Sequence, residues 1–500
     1  MADGGRDSVM EVARHMGKSL AVSKNAADDI MRALSSYESG DSPLFPSSSP
    51  AMASAAEDDD DEEVFAAAED VIRRCDSETV DYLYAAFVAV RRDALADAVA
   101  HLGGVEPVAI EEILRMEWGS LDHRMRRWTA AVRVVVRTLL AGERSLCDEV
   151  FAAAGDDDVT LGDVSFADVA RGFVLTNLVG FADAVAMSTP ATEKLYRMLG
   201  MYEALVDVEP DLTSLFSGDE FISGEVNAVV NHLGNTIRHT ITQFVNVIQS
   251  ESSRRPVNGG DIHPMTRYVL NYCGLLSESR ATLDIVLAAG AVAAAESPTG
   301  GAASPSGRCM RQLLTHLLHK LDEKSQLYDD AGLTNIFLMN NLYYIVQKIM
   351  DLPSLRELLG DDWVRRHKGQ IRQYETGYLR ASWMAILSSL RDDGASTATA
   401  TATAKEKARI FNAAFEEAYR SQTAWKVADP QLREELRIAV SERLIPAYRS
   451  FVGRARTVLE SGGGSRHSSA AAVAKYIKYS LEDLEDYMLD FFEGVQKFVR

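Results

Sequence analysis

Apolar residues recur at three- and four-residue spacing through most of the chain, the spacing that gives a helix one buried face. The clearest case is the stretch 415–456, which Asp429 and Pro430 divide into two predicted helices. Asp429 can cap the second helix, and Pro430 takes its first position, where a missing N–H costs nothing. Apolar residues then follow at intervals of four: Leu432, Leu436, Val440 and Leu444. The stretch therefore predicts two packed helices joined by a short turn.

The same spacing predicts helices along most of the remaining chain. Proline is scarce, with 13 residues, and no run of alternating β-branched residues is bounded by hairpin turns. The predicted helices are 79–102, 121–153, 166–187, 190–208, 221–252, 263–295, 308–327, 333–350, 361–391 and 480–499. The low-complexity stretch 396–404, STATATATA, is predicted to be mobile. Short connections between long helices favour antiparallel neighbours, so the sequence predicts an all-α protein.

The chain is predicted to divide into three parts. Residues 1–37 carry an amphipathic helical pattern, which fits either a coiled-coil or docking segment or a helix packed on the protein's own body. Residues 38–63 combine a Pro/Ser-rich stretch with the acidic run EDDDDEE. Neither can build a core, so together they predict a flexible linker. Residues 64–500 form the predicted helical body.

Composition and charge limit the classes of function. Hydrophobic residues make up 47% and charged residues 25%, as in ordinary soluble proteins, and the net charge of −21 predicts repulsion of nucleic acid. The N-terminus has no apolar signal core, and the longest apolar window, 285–295, is too short to span a bilayer. The four cysteines are isolated, which fits a reducing compartment. They are Cys75, Cys147, Cys273 and Cys309. We therefore expect a cytoplasmic protein.

Motifs of catalysis and cofactor binding do not occur in the sequence. Phosphate-binding glycine loops, nucleophile elbows and zinc-protease helices are all missing. His316 and His319 lie three residues apart, but no third metal ligand is obvious nearby. The acidic pairs at 329–330 and 361–362 lack a further carboxylate three or four residues on. We expect a protein without enzymatic activity, cofactor or metal site.

Basic residues are concentrated near the C-terminus. The window 443–478 holds seven arginines and lysines against one acid, Glu460, a net charge of +6 in a chain of −21. The seven are Arg443, Arg449, Arg454, Arg456, Arg466, Lys475 and Lys478. Two interpretations are open at this point. The cluster binds an anionic membrane, where each cation contributes about 1 kcal/mol, or it pairs with nearby acids such as those of 482–486.

Five sequence blocks, in order between about residues 260 and 490, carry a resemblance to a known family. They are HPMTRY at 263–268, NNLYY at 340–344, LGDDW at 359–363, SQTAW…DPQLREELR…SERLIPAYRSF within 415–456, and KYIKY at 475–479. Together they resemble the seventy-kilodalton subunit of the exocyst in its plant form. The resemblance implies an elongated rod of consecutive antiparallel helical bundles that tethers secretory vesicles to the plasma membrane in exocytosis. Other exocyst subunits are the implied protein partners.

The resemblance also implies a lipid site near the C-terminus. Two lysines of the KYIKY block contact phosphatidylinositol bisphosphate in the family, and they match Lys475 and Lys478 here. With Arg454 and Arg456 from the basic window, these lysines form the predicted lipid-binding set. The implied partner is an anionic phosphoinositide surface. The implied location is cytoplasmic and peripheral, at the plasma membrane.

An alternative hypothesis keeps the helical body and discards the tethering role. Several plant relatives are bound by pathogen effector proteins, so the chain would serve as a protein-interaction adaptor in plant immunity. An effector groove would use apolar and aromatic positions of the predicted helix 361–391, which otherwise belong to the core. These positions are Trp363, Tyr374, Tyr378, Leu379 and Trp383.

Overall fold

The computed structural model describes residues 77–102, 105–151, 160–217, 219–291, 304–391, 400–461 and 475–499. Within these ranges all regular elements are helices, apart from one isolated bridge between Lys426 and Glu493. The predicted all-α class is therefore confirmed. The predicted N-terminal helix 1–37 and the predicted linker 38–63 lie outside the described residues.

The described α-helices are α1 (Ser77–Leu102), α2 (Ile110–Arg115), α3 (Trp118–Val134), α4 (Ala141–Val150), α5 (Leu161–Phe173), α6 (Gly180–Met187), α7 (Thr192–Leu215), α8 (Glu220–Ser250), α9 (Pro264–Glu278), α10 (Arg280–Ala291), α11 (Pro305–Ser325), α12 (Ala331–Asp351), α13 (Pro353–Leu359), α14 (Asp361–Ser389), α15 (Ala400–Ala424), α16 (Pro430–Ser461) and α17 (Leu481–Met488). Two π-helical turns, Val135–Leu140 and Val174–Val179, continue α3 into α4 and α5 into α6. A 3-10 turn covers Asn258–Gly260.

The chain forms two compact units. Among the described residues, the N-terminal unit comprises those of 77–243 and 281–291. The C-terminal unit comprises the described residues of 244–280 and 304–499. The predicted lipid-binding residues all belong to the C-terminal unit.

The N-terminal unit packs around the two helices that contain π-helical turns. Trp128 of α3 is 0% exposed, and its indole N–H donates to the carbonyl oxygen of Asn177 at 3.3 Å. Asn177 lies in the second π-helical turn, and its amide donates to the Val105 carbonyl oxygen at 2.7 Å. A buried two-point ion pair joins Arg91 of α1 to Glu143 of α4 at 2.8 and 2.6 Å. These contacts satisfy buried polar groups that would otherwise weaken the core.

One continuous helix among the described residues, Leu161–Met187, is long and apolar enough to cross a membrane by length and composition alone. The window 285–295 is thus not the longest apolar stretch, contrary to the sequence prediction. Most of this helix is buried within the N-terminal unit, with Phe166, Val174 and Leu178 all 0% exposed. Its apolar surface packs in the protein core, and that burial accounts for its composition.

The core of the C-terminal unit is built around α14, α15 and α16. The predicted cap of α16 is confirmed, because Asp429 Oδ1 accepts the Leu432 N–H at 2.9 Å and Pro430 opens the helix. The predicted apolar positions of α16 are at most 3% exposed; they are Leu432, Leu436, Val440 and Leu444. They pack in one hydrophobic cluster with residues of α14, α15 and α17. The stretch 415–456 is therefore two packed helices, as predicted.

The prediction of a final helix at 480–499 is mostly wrong. α17 ends at Met488, and residues 489–499 form turns and extended chain. Phe492 and Gly494 adopt left-handed backbone conformations, with φ of 66° and 80°. Apolar residues continue past Met488, but backbone N–H groups of this stretch bond to residues around the turn between α15 and α16. These tertiary hydrogen bonds override the local helical preference.

Three other boundaries differ from the predictions. α7 runs through Pro210 instead of ending at residue 208, because its core packing continues on both sides of the proline and offsets the lost backbone bond. The predicted helix 263–295 divides at Ser279 into α9 and α10. α15 begins at Ala400, inside the stretch predicted to be mobile, because alternate alanines favour helix.

Candidate functional site

The KYIKY segment, residues 475–479, lies along one face of α15. Asn412 of α15 donates its side-chain amide to the Tyr476 carbonyl oxygen at 3.1 Å. One turn further along α15, Glu416 accepts the Tyr479 hydroxyl at 2.8 Å. From α16, the Tyr448 hydroxyl donates to the Tyr479 carbonyl oxygen at 2.8 Å. The segment is thus held by its tyrosines and its backbone, which leaves its lysines at the surface.

A capping box fixes the end of the KYIKY segment. Ser480 accepts the Asp483 N–H at 3.0 Å, and the Asp483 carboxylate accepts the Ser480 N–H at 2.8 Å. This reciprocal pair satisfies backbone donors that the first turn of α17 cannot use internally. The two Ser480 hydrogen bonds hold the pKa of Asp483 below its ordinary value. Asp483 therefore has a capping role, and it does not form an ion pair with Lys478, whose carboxylate partner is Glu416.

The two predicted lysines have different surroundings. Lys475 is exposed, and its ammonium lies 5.9 Å from the centre of the Tyr476 ring. Lys478 is also exposed, at 46%, but its ammonium lies 2.7 Å from Glu416 Oε1. The interpretation that the basic cluster pairs with acids therefore holds for Lys478, although the acid is on α15 and outside 482–486. Lys475 contacts an aromatic ring and keeps its charge at the surface.

The two predicted arginines lie on α16. Arg454 donates to the Leu390 carbonyl oxygen at 2.8 Å, at the C-terminal end of α14. A cation at this position satisfies an orphan carbonyl and complements the helix dipole. Arg456 is exposed and lies close enough to the buried Tyr448 to oppose the rise in its pKa. Arg454 thus has a structural contact. Arg456 remains a candidate lipid-binding residue because it is exposed.

Sequence analysis missed Lys405, which the fold brings to the KYIKY segment. Its ammonium lies 5.5 Å from the centre of the Tyr476 ring, the same ring that Lys475 contacts. Lys405 follows the low-complexity stretch, and nothing local links it to Tyr476. Its spacing of seven and eleven residues from Asn412 and Glu416 places the three residues on one helix face, but only the fold shows that this face contacts the KYIKY segment. We call the surface formed by Lys405, Lys475 and Lys478 the basic face.

Electrostatics fix the protonation states around Lys478. The ion pair with Lys478 and then the Tyr479 hydroxyl hold the pKa of Glu416 below its ordinary value. Burial, followed by the Glu416 carboxylate, raises the pKa of Tyr479 well above its ordinary value. At neutral pH Glu416 is therefore ionised and Tyr479 is a hydroxyl donor. Glu416 is the one acidic group in direct contact with the described lysines of the basic face.

Most positions of the alternative aromatic groove belong to the core. Tyr378 is 0% exposed and Trp383 is 1% exposed, and Leu379 is buried with them. The Trp383 indole N–H donates to the Tyr378 hydroxyl at 2.8 Å, and that hydroxyl donates to Gln422 Oε1 at 2.7 Å. Trp363 is half-buried and stacks on His367 at 3.7 Å. The core interpretation is confirmed for the three buried positions.

The other candidate chemical groups are held in ordinary contacts. His316 lies 3.0 Å from the Gln249 amide, and His319 lies 3.3 Å from Glu323. The carboxylates of 361–362 pair with arginines at 2.8 and 2.9 Å. In the part of the chain that the structure describes, no three histidine, cysteine or carboxylate side chains are grouped to hold a metal ion.

Two of the resembling blocks meet in the interior. Asn341 Oδ1 accepts the His263 N–H at 2.9 Å and the Thr266 hydroxyl at 2.7 Å. Asn340 donates to the Gly260 and Lys426 carbonyl oxygens, each at 2.7 Å. We call this pair the asparagine junction; both asparagines are at most 3% exposed. The HPMTRY and NNLYY blocks are therefore structural, in contrast to the exposed lysines of KYIKY.

Residues 126–490 match the family described as the C-terminal region of Exo70, which is part of the exocyst complex. The chain therefore belongs to the Exo70 family of exocyst subunits. It is 35% identical over 416 residues to the exocyst complex component EXO70B1 of Arabidopsis thaliana, covering 82% of this chain and 63% of that protein. To EXO70E2 of the same plant it is 35% identical over 417 residues, covering 82% and 61%. The chain thus spans under two thirds of the length of these relatives.

Among proteins of known structure, the chain is similar to the S. cerevisiae exocyst component Exo70p. That protein is 13% identical to this chain, with a TM-score of 0.47 over 95% of this chain and 88% of the yeast chain.

Proposed function

We propose that this chain is an exocyst subunit that tethers secretory vesicles to the plasma membrane during exocytosis. It acts without catalysis, by binding other exocyst subunits and an anionic phosphoinositide surface. Family membership supports the exocyst partners, since the relatives are exocyst complex components by name. The observation that carries the lipid part is the basic face, where three lysines from two distant parts of the chain share one surface.

Electrostatic attraction is the proposed mechanism of membrane binding. Each lysine near an anionic leaflet contributes about 1 kcal/mol, so Lys405 and Lys475 supply about 2 kcal/mol, and Lys478, which is paired with Glu416, adds less. That amount holds a protein transiently, so stable tethering requires the additional contacts with exocyst subunits. The chain as a whole carries −21, so an anionic membrane repels most of its surface. The basic face is therefore the part that approaches the lipid, at the cytoplasmic side of the plasma membrane.

Co-sedimentation with vesicles tests the lipid assignment. Wild-type protein and the double variant Lys475→Glu/Lys478→Glu are incubated with phosphatidylcholine vesicles that contain phosphatidylinositol bisphosphate, at low and physiological salt. We expect salt-sensitive binding by the wild type and a loss of at least about tenfold in the double variant. Lys348→Glu is the control, because Lys348 is exposed on α12 and takes no part in the basic face.

Two results would overturn the proposal. Equal binding by the double variant and the Lys348→Glu control would remove Lys475 and Lys478 from the site. No vesicle binding by the wild type at low salt would remove the lipid part of the function and favour the adaptor hypothesis.

A further inference from the structure

We propose that α15 sets the anion affinity of the basic face through two residues of opposite effect. Lys405 adds a third cation to the site, and Glu416 is a counter-charge that restrains Lys478. The ligand class is a phosphorylated inositol, as a membrane headgroup or as a free inositol phosphate. The inference rests on the proposed lipid binding and names residues of α15 that adjust it.

Glu416 competes with any anion for Lys478. Its Oε1 atom accepts both the Lys478 ammonium at 2.7 Å and the Tyr479 hydroxyl at 2.8 Å. The Tyr479 contact holds the carboxylate in place next to the lysine. A phosphate that approaches Lys478 competes with this carboxylate for the ammonium group and meets its negative charge. Glu416 is 42% exposed in its side chain, so the competition takes place at the surface, where a ligand can reach it.

Lys405 and Lys475 meet at a single aromatic ring. Their ammonium groups lie 5.5 and 5.9 Å from the centre of the Tyr476 ring. The negative face of a tyrosine ring attracts a cation, and two lysines that share one ring also repel each other. Lys405 has no carboxylate partner among the described contacts that would relieve this repulsion. An anion bound beside the ring would reduce this repulsion, which makes the two lysines candidates for an anion-binding site.

The geometry of α15 unites the two effects. Lys405, Asn412 and Glu416 are spaced by seven and four residues, so they lie on one face of the helix over about 16 Å. The KYIKY segment runs along that face, with Tyr476 beside Lys405 and Asn412 and with Lys478 beside Glu416. One end of the face therefore offers two uncompensated lysines, and the other offers a lysine that is held by a carboxylate.

Removing the counter-charge provides the decisive test, because it predicts a gain of binding. We expect Glu416→Gln to bind phosphatidylinositol bisphosphate vesicles about three- to tenfold more tightly than the wild type. Glutamine can still accept the Tyr479 hydroxyl, so the KYIKY segment keeps its position. Damage to the fold would weaken binding, and a gain separates a restraining role from a structural one.

The adjacent carboxylate is the matched control. Glu417→Gln removes the same charge from the next residue, where Glu417 pairs with Arg420 on the same helix at 2.6 Å. We expect this variant to change binding by less than about twofold. Equal gains in Glu416→Gln and Glu417→Gln would show an effect of net charge alone and would overturn the role of Glu416.

Removal of the Lys405 charge is expected to have the opposite effect and to weaken binding. We expect Lys405→Gln to bind the same vesicles about three- to tenfold more weakly than Lys348→Gln, which removes one exposed lysine from α12. Equal binding by these two variants would remove Lys405 from the site.

Soluble inositol trisphosphate separates this inference from the proposed function. Calorimetric titration of the wild type, Glu416→Gln and Lys405→Gln measures anion binding without a membrane. One outcome is that the wild type does not bind vesicles, while the soluble anion binds most tightly to Glu416→Gln and most weakly to Lys405→Gln. That result would overturn the membrane role and support the effect of α15 on anion affinity. If vesicles bind and the double variant Lys475→Glu/Lys478→Glu does not, while both α15 variants match their controls, only this inference is overturned. Binding of neither probe by the wild type would overturn both.

Discussion

The two stretches that flank α17 pack on the same helices but differ in what they bury. Residues 475–480 precede α17, and their lysines lie at the surface around Glu416 and Tyr476. Residues 489–499 follow α17, and there Phe491 and Phe492 are 0% exposed. The first stretch buries Tyr479 but leaves its two lysines at the surface, whereas the second buries two adjacent aromatic rings, Phe491 and Phe492.

Backbone hydrogen bonds reinforce this difference. Phe492 donates its N–H to the Gln422 carbonyl oxygen at 2.9 Å and accepts the Val427 N–H at 3.1 Å. Gly494 donates to the Trp425 carbonyl oxygen at 2.8 Å. Such bonds need fixed backbone positions, and they account for the left-handed φ of Phe492. The stretch after α17 therefore contributes to stability, whereas the charges before α17 can change at little cost to folding.

The largest effect is expected from the buried aromatic ring. Phe491→Ala should lower the free energy of unfolding of the C-terminal unit by about 3–5 kcal/mol, because it leaves a cavity in the core. Phe498→Ala is the matched control from the same stretch, since Phe498 is 68% exposed, and it should cost less than about 0.5 kcal/mol. Urea unfolding measures both. Equal costs would show that the stretch after α17 is not part of the core.

The asparagine junction extends the comparison to the turn on which residues 489–499 pack. Asn340→Ala should lower the free energy of unfolding by about 2–4 kcal/mol, because it leaves the Gly260 and Lys426 carbonyl oxygens without their donor. Asn227→Ala is the control, since Asn227 is an exposed helical asparagine with one amide contact. A cost below about 1 kcal/mol for Asn340→Ala, again from urea unfolding, would contradict the structural role of the NNLYY block.

Protonation of His263 should weaken the same junction as the pH falls. His263 Nδ1 accepts the Met265 N–H at 3.1 Å, and burial lowers the pKa of its imidazole. The unfolded chain binds a proton near pH 6.5, so the folded state loses stability as the pH falls below that value. Lys324 and Glu251 face the ring and oppose each other, lowering and raising this pKa respectively.

Asparagine at position 263 would keep a helix cap without titrating. We expect His263→Asn to lose less stability than the wild type as the pH falls below about 6.5, as measured by urea unfolding at several pH values. If the free energy of unfolding depends on pH in the same way for the variant and the wild type, His263 is not the group that titrates.

Helical class and helix faces were predictable because they depend on local spacing. Leu436 and Val440 are buried as their four-residue interval required, and Asp429 caps α16 as its place before Pro430 indicated. The helix predicted for 480–499 failed because its apolar spacing is ambiguous. Phe491 and Phe492 fit a helical stripe, but hydrogen bonds to the turn between α15 and α16 determine their backbone.

The candidate site was predictable only in part, for the same physical reason. Lys475 and Lys478 could be proposed from the resemblance of a short block. Their surroundings depend on contacts with residues far away in sequence, and local patterns do not encode such contacts. Neither the Glu416 ion pair nor the approach of Lys405 to Tyr476 could therefore be inferred, nor could the capping contact of Arg454 with Leu390.

Vesicle binding and urea unfolding, both measured on the same preparation of Lys475→Glu/Lys478→Glu, test whether the basic face binds lipid without contributing to the stability of the core. The substitutions replace one exposed ion pair with a repulsion between two exposed carboxylates at positions 416 and 478, so the free energy of unfolding should change by less than about 1 kcal/mol. Binding to phosphatidylinositol bisphosphate vesicles should fall by at least about tenfold. Such a result would separate the basic face from the core that supports it. Loss of stability together with binding, or full retention of binding, would contradict the account.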